Sequence, residues 1–169
     1  MIRLILLLSF SAFTGCRSLP RGDAHEAPTT VMTRFYEAYF QTRENIRPAY
    51  SESFAELLSE NLEVCREIAN ATDVCGFGAD VDPFLDARAD QGRLDLESAR
   101  FQARDAGAGV VEVEFDLQPP ERSAYHHRKI RYLMKVEDGR WVIDDIQYGA
   151  RSARSQMMSE IQELRGGIF

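Results

Sequence analysis

The segment KIRYLMKVEDGRWVIDDIQYG (residues 129–149) decides the fold. In its first half every second residue is apolar, which is the period of a strand with one buried face. Asp138-Gly139 is a strong signal for a tight hairpin turn, so the residues after it form the return strand. The alternation slips at Asp144-Asp145, which predicts a β-bulge. The segment therefore predicts a long antiparallel hairpin.

Two more strands precede this hairpin. Residues 99–104 and residues 111–117 both alternate apolar with charged or polar side chains. The glycine-rich DAGAG stretch between them (residues 105–109) predicts a hairpin loop. The second half of the chain thus predicts an antiparallel meander of about four strands.

The first half of the chain has the helical period instead. Residues 30–44 predict a first helix, because aromatic and aliphatic side chains recur at a spacing of four and form a wide apolar face. These residues are Val31, Met32, Phe35, Tyr36, Tyr39 and Phe40. A helix with so wide a face is expected to lie across the sheet.

A second helix is predicted from the capping box that runs from Ser53 to Glu56. Its apolar stripe comprises Phe54, Leu57, Leu58, Leu62, Cys65, Ile68 and Ala69. Asp82 followed by Pro83 predicts a short helix that carries Phe84, Leu85 and Ala87 inward. Residues 152–164 predict a terminal helix with an inward face of Met157, Met158, Ile161 and Leu164.

Helices followed by an antiparallel meander define an α+β fold, with amino-terminal helices packed on a curved antiparallel sheet. This order resembles the nuclear transport factor 2-like, or cystatin-like, cone. Three segments resemble parts of a domain of unknown function found in exported bacterial proteins: Phe35-Tyr36, DPFLDA (residues 82–87) and WVIDDI (residues 141–146). The resemblance implies a sheet that wraps the first helix around a cavity and an exported location, and it implies no activity.

The amino terminus has the features of a targeting segment. Arg3 precedes an apolar run from Leu4 to Phe10, which has the length of a secretory signal and is too short to span a bilayer as a helix. Thr14-Gly15 directly before Cys16 resembles the lipobox of bacterial lipoproteins. The alternative is an ordinary signal peptide that leaves Cys16 as a free thiol.

The lipoprotein resemblance implies an organisation for the chain and a location. Residues 1–15 would be a signal peptide, and Cys16 would carry diacylglycerol and a further acyl chain such as palmitate. Residues 16–29 would form a flexible tether, and residues 30–169 would form a single domain. Arg17, in place of an aspartate, implies the outer membrane, with the domain facing the periplasm. The membrane is then a partner through the lipid anchor.

Composition narrows the choice of partners. The formal net charge is −7, which argues against nucleic acid and against binding of the protein surface to anionic lipid. Cys65 and Cys75 form a pair in a chain expected to be exported, so a disulfide is predicted; the alternative is two buried thiols. On the chain-entropy account, so short a loop contributes about 2–3 kcal/mol.

Metal and cofactor sites are not predicted. The densest carboxylate set, Asp80, Asp82, Asp86 and Asp90, lacks the ligand spacing and glycine of a calcium loop. His126-His127 would point to opposite faces of a strand, which makes them a poor chelating pair. Phosphate-loop, serine-elbow and Cys-x-x-Cys motifs are also missing from the sequence.

Catalysis is suggested only by the fold resemblance. Some enzymes of that superfamily use an Asp or His as general base with a Tyr as hydrogen-bond donor. In this chain the residues of those types are Tyr36, Asp86, Tyr132, Asp144 and Asp145. The structural alternative is that Asp144-Asp145 occupy the bulge with their charges solvated or paired to arginine.

The sequence therefore favours a non-catalytic binding or accessory domain that takes a small apolar ligand in the cone or a protein partner on the sheet. A cone-type enzyme, isomerase or hydrolase-like, is one alternative, and an immunity or inhibitor protein for a secreted toxin is another. A pocket that pairs a buried carboxylate with Tyr or His would favour the enzyme. An apolar lumen would favour a ligand, and an exposed apolar patch on the sheet a protein partner.

Overall fold

The computed structural model describes residues 24–42, 46–68, 74–88, 100–117 and 126–166. Within these residues the helices are α1 (Pro28–Thr42), α2 (Glu52–Ile68) and α3 (Ala153–Gly166). The strands are β1 (Val81–Asp82), β2 (Ala87–Arg88), β3 (Phe101–Asp105), β4 (Val110–Leu117), β5 (His126–Glu137), β6 (Arg140–Tyr148) and β7 (Arg151–Ser152). Cys16 and Asp90 lie outside the described residues.

The strands β3 to β7 form an antiparallel sheet in chain order, and the helices pack against it, so the predicted α+β class is confirmed. The sheet has five strands instead of about four, because the chain turns back after β6 and β7 pairs with its end. Gly149, with φ of +63°, provides the left-handed backbone that this tight turn needs.

The predicted hairpin and bulge are both present. Asp138 and Gly139 adopt positive φ at the turn between β5 and β6, as a two-residue hairpin requires. Leu133 pairs with Asp145 and Met134 pairs with Ile143, which leaves Asp144 as the extra residue of the bulge. The bulge places Asp144 at the surface, where it is partly exposed, while Asp145 is buried.

The concave side of the sheet is filled by the aromatic face of α1. Tyr36 makes edge or tilted ring contacts with Phe40, Phe101, Phe115 and Tyr132, at centroid distances of 5.5–6.2 Å. Both Tyr36 and Tyr132 are 0% exposed. The place where the cone resemblance implies a cavity is thus occupied by side chains.

The residues just before α1 are packed against the hairpin. The amide of Ala24 donates to the carbonyl of Gly139 (2.9 Å), and the indole N–H of Trp141 donates to the carbonyl of Glu26 (2.9 Å). The Glu26 carboxylate also pairs with Arg34 on α1. We call residues 24–27 the docked strap; the sequence places them in the tether, and the helix begins at Pro28, two residues earlier than predicted.

Local predictions for α2 and α3 need correction. Helix α2 begins at Glu52, one residue before the predicted cap at Ser53. Its N-cap is Ser51, whose hydroxyl accepts a hydrogen bond from the Phe54 amide (3.1 Å). The Ser53 hydroxyl instead accepts a hydrogen bond from Arg154 of α3. Leu62 on its predicted inward stripe is 44% exposed. Met158 is 60% exposed, because α3 packs only a narrow stripe through Ala153, Met157 and Ile161.

The short helix predicted after Asp82 is wrong. Asp82 and Ala87 pair in a two-stranded ladder, and a turn joins them, with the Leu85 amide bonded to the Asp82 carbonyl (3.2 Å). The Asp82 carboxylate does accept the Phe84 amide (2.9 Å), as a capping residue would. A positive φ of 47° at Asp86 ends the turn before a helix forms. Phe84, Leu85 and Ala87 are buried as predicted.

Candidate ligand-binding cleft

The two candidate catalytic tyrosines form a buried pair. The Tyr36 hydroxyl lies 2.6 Å from the Tyr132 hydroxyl and donates to the Phe84 carbonyl (2.8 Å). Burial raises the pKa of both phenols well above the usual 10, so both stay neutral. Since neither side chain is exposed, the geometry suits them to fasten the turn at Phe84 to the core rather than to contact a substrate.

The structure does not bring the candidate aspartates to these tyrosines. The Asp86 carboxylate pairs with Arg151 at 2.9 Å. Asp145 accepts hydrogen bonds from the Ser152 hydroxyl (2.6 Å) and from the backbone amides of Ile146 (2.8 Å) and Arg154 (3.1 Å). These contacts tie the bulge in β6 to β7 and the start of α3.

Asp144 joins three elements at the surface. Its carboxylate accepts the Ser51 hydroxyl (2.7 Å), and lies 2.8 Å from Arg154 and 2.9 Å from Lys135. Partial burial acts to raise its pKa, but the hydrogen bonds from Lys135 and Ser51 and the charge of Arg154 outweigh it and lower the pKa to about 2. A carboxylate held this strongly in its charged form is a poor general base near neutral pH.

The loop after α2 is fastened by contacts that sequence reasoning found only in part. Cys65 and Cys75 are joined as a disulfide, as predicted, with Cα atoms 5.6 Å apart. Asn61, which is 0% exposed, accepts the Phe77 amide (2.8 Å) and donates to Glu160 (2.6 Å). The sequence signal that could have predicted these contacts is the position of Asn61, a polar amide within the apolar stripe of α2. Together these contacts hold Phe77 between α2 and the β1–β2 turn.

This loop forms one wall of a cleft of about 370 Å³ at the carboxyl end of α1. We call it the α1–α2 cleft. Its lining residues are Tyr39, Ile46, Arg47, Tyr50, Leu58, Leu62, Phe77, Gly78, Asp82, Pro83 and Phe84. Most of them are apolar, and the volume lies near the lower end of the usual range for ligand pockets.

The polar groups of the cleft differ in whether they have hydrogen-bond or ion-pair partners among the described residues. Both oxygens of the Asp82 carboxylate accept hydrogen bonds, one from the Phe84 amide and the other from the Tyr39 hydroxyl. Arg47 is exposed and makes no ion pair within the described part of the chain. The Tyr50 ring contacts the Phe54 ring in a tilted arrangement with centroids 5.0 Å apart, but its hydroxyl bonds to none of the described residues. The cleft thus holds two unused hydrogen-bond donors.

Two other concave surfaces are present. A smaller pocket of about 240 Å³ lies on the other side of Phe77 and Pro83, and it contains the Asp86–Arg151 pair. A wider groove of about 670 Å³ runs between α2 and α3 and is lined by Leu57, Ile161 and the exposed Met158. We call it the α2–α3 groove.

The outer face of the sheet is charged. Lys129 pairs with both Glu112 and Glu114 at 2.9 Å, and Arg104 lies 3.7 Å from Glu114. Gln102 and Arg131 extend the same face by strand register. The apolar patch that would favour a protein partner on the sheet is therefore not found on these described strands. His127 pairs with Asp116 (3.1 Å), also on this sheet.

Comparison with known proteins gives no assignment: no protein-family model matches the chain, and no curated protein or solved structure is significantly similar to it. Among the described helices, none has the length and apolar character needed to cross a membrane. The function must therefore be argued from the cleft and from the sequence around Cys16.

Proposed function

We propose that this chain is a non-catalytic binding domain of the cell envelope, anchored by lipid on Cys16 at the outer membrane and facing the periplasm. Its ligand occupies the α1–α2 cleft. The observation that carries the proposal is the cleft itself, an apolar space with unused donors on Arg47 and Tyr50. The Thr14-Gly15-Cys16 sequence supports the anchor.

The carboxylates argue for binding rather than catalysis. Asp86, Asp144 and Asp145 are all engaged in ion pairs or hydrogen bonds that hold the fold together. In the cleft, Asp82 lies beside Tyr39, but both of its oxygens already accept hydrogen bonds. These two contacts give Asp82 a structural role, because they fasten the turn that forms the cleft wall to α1.

The docked strap and the cleft lie near opposite ends of α1. The strap binds the β5–β6 turn and the beginning of α1, whereas Tyr39 and the cleft lie near the other end of that helix. Fifteen helical residues span about 22 Å. An anchor on Cys16 would therefore attach the domain at the end of α1 opposite the cleft.

A second candidate is an inhibitor protein that binds a secreted toxin through the α2–α3 groove. The exposure of Met158 beside Ile161 favours it, because an exposed flexible apolar side chain in a groove is typical of protein-binding surfaces. In this alternative the occupant is a protein, and the α1–α2 cleft stays empty.

One pair of matched variants separates the candidates. Leu62→Glu places a charge in the α1–α2 cleft and Met158→Glu places the same charge in the α2–α3 groove, and both residues are exposed on helices. The protein and both variants are purified from solubilised envelopes, and co-purifying molecules are identified by mass spectrometry. A small molecule lost only with Leu62→Glu supports the proposal. A protein lost only with Met158→Glu contradicts it and supports the inhibitor.

The anchor is tested separately. Labelled palmitate should enter the protein in its native cell, and Cys16→Ala should abolish both the label and the partition into detergent. Recovery of an unacylated protein from the cytosol with Met1 in place would contradict the anchor, without affecting the result for the cleft.

A further inference from the structure

We infer that the ligand of the α1–α2 cleft is a small amphipathic monocarboxylate, with its apolar body in the cleft and its carboxylate at Arg47 and Tyr50. This inference rests on the proposed function and specifies the class of ligand. It follows from three properties of the cleft: its lining, its unused donors and its charge.

The apolar body is matched by the walls of the cleft. The apolar lining residues include Leu58 and Leu62 of α2, Phe77 and Phe84 from the loop side, and Ile46. At about 370 Å³ the cleft suits a short chain or a single ring rather than a large cofactor.

The head group is matched by the two donors. Arg47 and Tyr50 both line the cleft. The charge of Arg47 acts to lower the pKa of the Tyr50 phenol, but burial dominates and raises it. The phenol therefore keeps its proton near neutral pH and can donate it in a hydrogen bond. A guanidinium and a neutral hydroxyl together can donate to the two oxygens of one carboxylate.

The charged groups of the lining favour a ligand with one negative charge at Arg47. Arg47 contributes one positive charge and Asp82 contributes one negative charge, and these are the charged side chains among the lining residues. A monocarboxylate neutralises Arg47, whereas a dianionic phosphate would add a second charge that Asp82 repels. An ammonium head group would be repelled by the positive charge of Arg47 in the same cleft.

The test compares four octyl compounds that share the apolar body: octanoate, octanol, octyl phosphate and octylammonium. Residues 16–169 with Cys16→Ala are used, because this chain retains every described residue and lacks the apolar run of residues 4–10, which could itself bind octyl compounds. Binding is measured by calorimetry at pH 7, where octanoate is ionised. Octanoate is expected to bind about five- to tenfold more tightly than octanol, as one charge-assisted contact near the surface would give.

Matched variants locate this preference. Arg47→Gln should remove the preference for octanoate over octanol, and Tyr50→Phe should reduce it. Arg66→Gln makes the same change of charge on α2 outside the cleft and should keep it, since Arg66 is exposed and pairs only weakly with Glu63 (3.8 Å).

The outcomes distinguish the head group of the ligand from the location of its binding site. If octanoate and octanol bound equally well and Leu62→Glu blocked both, the inferred preference for a carboxylate would be wrong, but the cleft would remain the binding site. Tighter binding of the phosphate or the ammonium would likewise overturn that preference. Absence of binding by all four compounds would overturn this inference and weaken the proposed cleft function with it.

Discussion

The indole N–H of Trp141 donates a hydrogen bond to the backbone carbonyl of Glu26 over 2.9 Å. This contact joins the return strand of the hairpin to the residues that precede the first helix. Between Cys16 and Ala24 lie eight backbone steps, which span at most about 29 Å when fully extended. An attachment at Cys16 would thus keep Ala24 within this distance of the attachment point.

The strap contact gives the first prediction. Trp141→Phe removes the indole donor and should free the strap, so amide hydrogen exchange at Ala24 is expected to accelerate while exchange in the middle of α1 changes little. The loss of free energy of unfolding should be about 1 kcal/mol, the usual net value of one hydrogen bond. Arg131→Gln, on the exposed outer face, serves as the control. Unchanged protection of Ala24 in Trp141→Phe would contradict a docked strap.

Asn61 should be necessary for the cleft wall. Asn61→Ala removes the acceptor of the Phe77 amide and the donor to Glu160, and both partners lose a buried contact. We expect a loss of about 2–3 kcal/mol in the free energy of unfolding, measured in urea. Gln156→Ala, an exposed change on α3, should cost much less. Equal stability of the two variants would show that the Asn61 contacts do not hold the loop.

Asp144 should make stability depend on acid pH. Its folded-state pKa of about 2 lies below the ordinary 3.8, so the carboxylate stabilises the fold fully above pH 4 and loses this contribution as the pH falls toward 2. Because the side chain is 33% exposed, solvent screening reduces the contribution to about 1 kcal/mol. The difference between wild type and Asp144→Asn in urea unfolding should therefore shrink from pH 5 to pH 2.

The control for this pH dependence is Asp138→Asn. The Asp138 side chain is 91% exposed and lies 3.9 Å from Arg140, so this variant should follow the wild-type profile. If Asp144→Asn kept the wild-type profile as well, the ion pairs of Asp144 would not contribute to folding.

Variants of Tyr36 and Tyr132 test whether this buried pair has a structural or a catalytic role. Tyr36→Phe removes the bond to the Phe84 carbonyl together with the Tyr36–Tyr132 bond, whereas Tyr132→Phe removes only the latter. Tyr36→Phe should therefore destabilise the protein by about 1–3 kcal/mol, more than Tyr132→Phe does. Both variants should keep the affinity for cleft ligands once folded. Loss of ligand affinity without loss of stability would favour a direct functional role for the pair.

The sequence predicted the strands well because their signals are local. Alternation and the Asp138-Gly139 turn depend on adjacent residues, and the slip at Asp144-Asp145 marked the bulge that the strand register confirms. The disulfide was also predicted, since a short loop between two cysteines brings them within reach. The candidate site was predicted less well: Asp82 was noticed for capping, but Arg47, Tyr50 and Asn61 were not singled out.

These misses have a common physical cause. Ser51 rather than Ser53 caps α2 because Ser53 contacts Arg154, about a hundred residues away, and no local pattern records that partner. The segment after Asp82 forms a turn because its ends pair as strands and Tyr36 holds the Phe84 carbonyl from α1. Periodicity and turn chemistry by themselves determined the three helices α1 to α3 and the strands β3 to β6, since these depend on neighbours in the chain. Only the tertiary structure decided where the cleft opens and which polar groups in it are left unused, because those depend on contacts between distant segments.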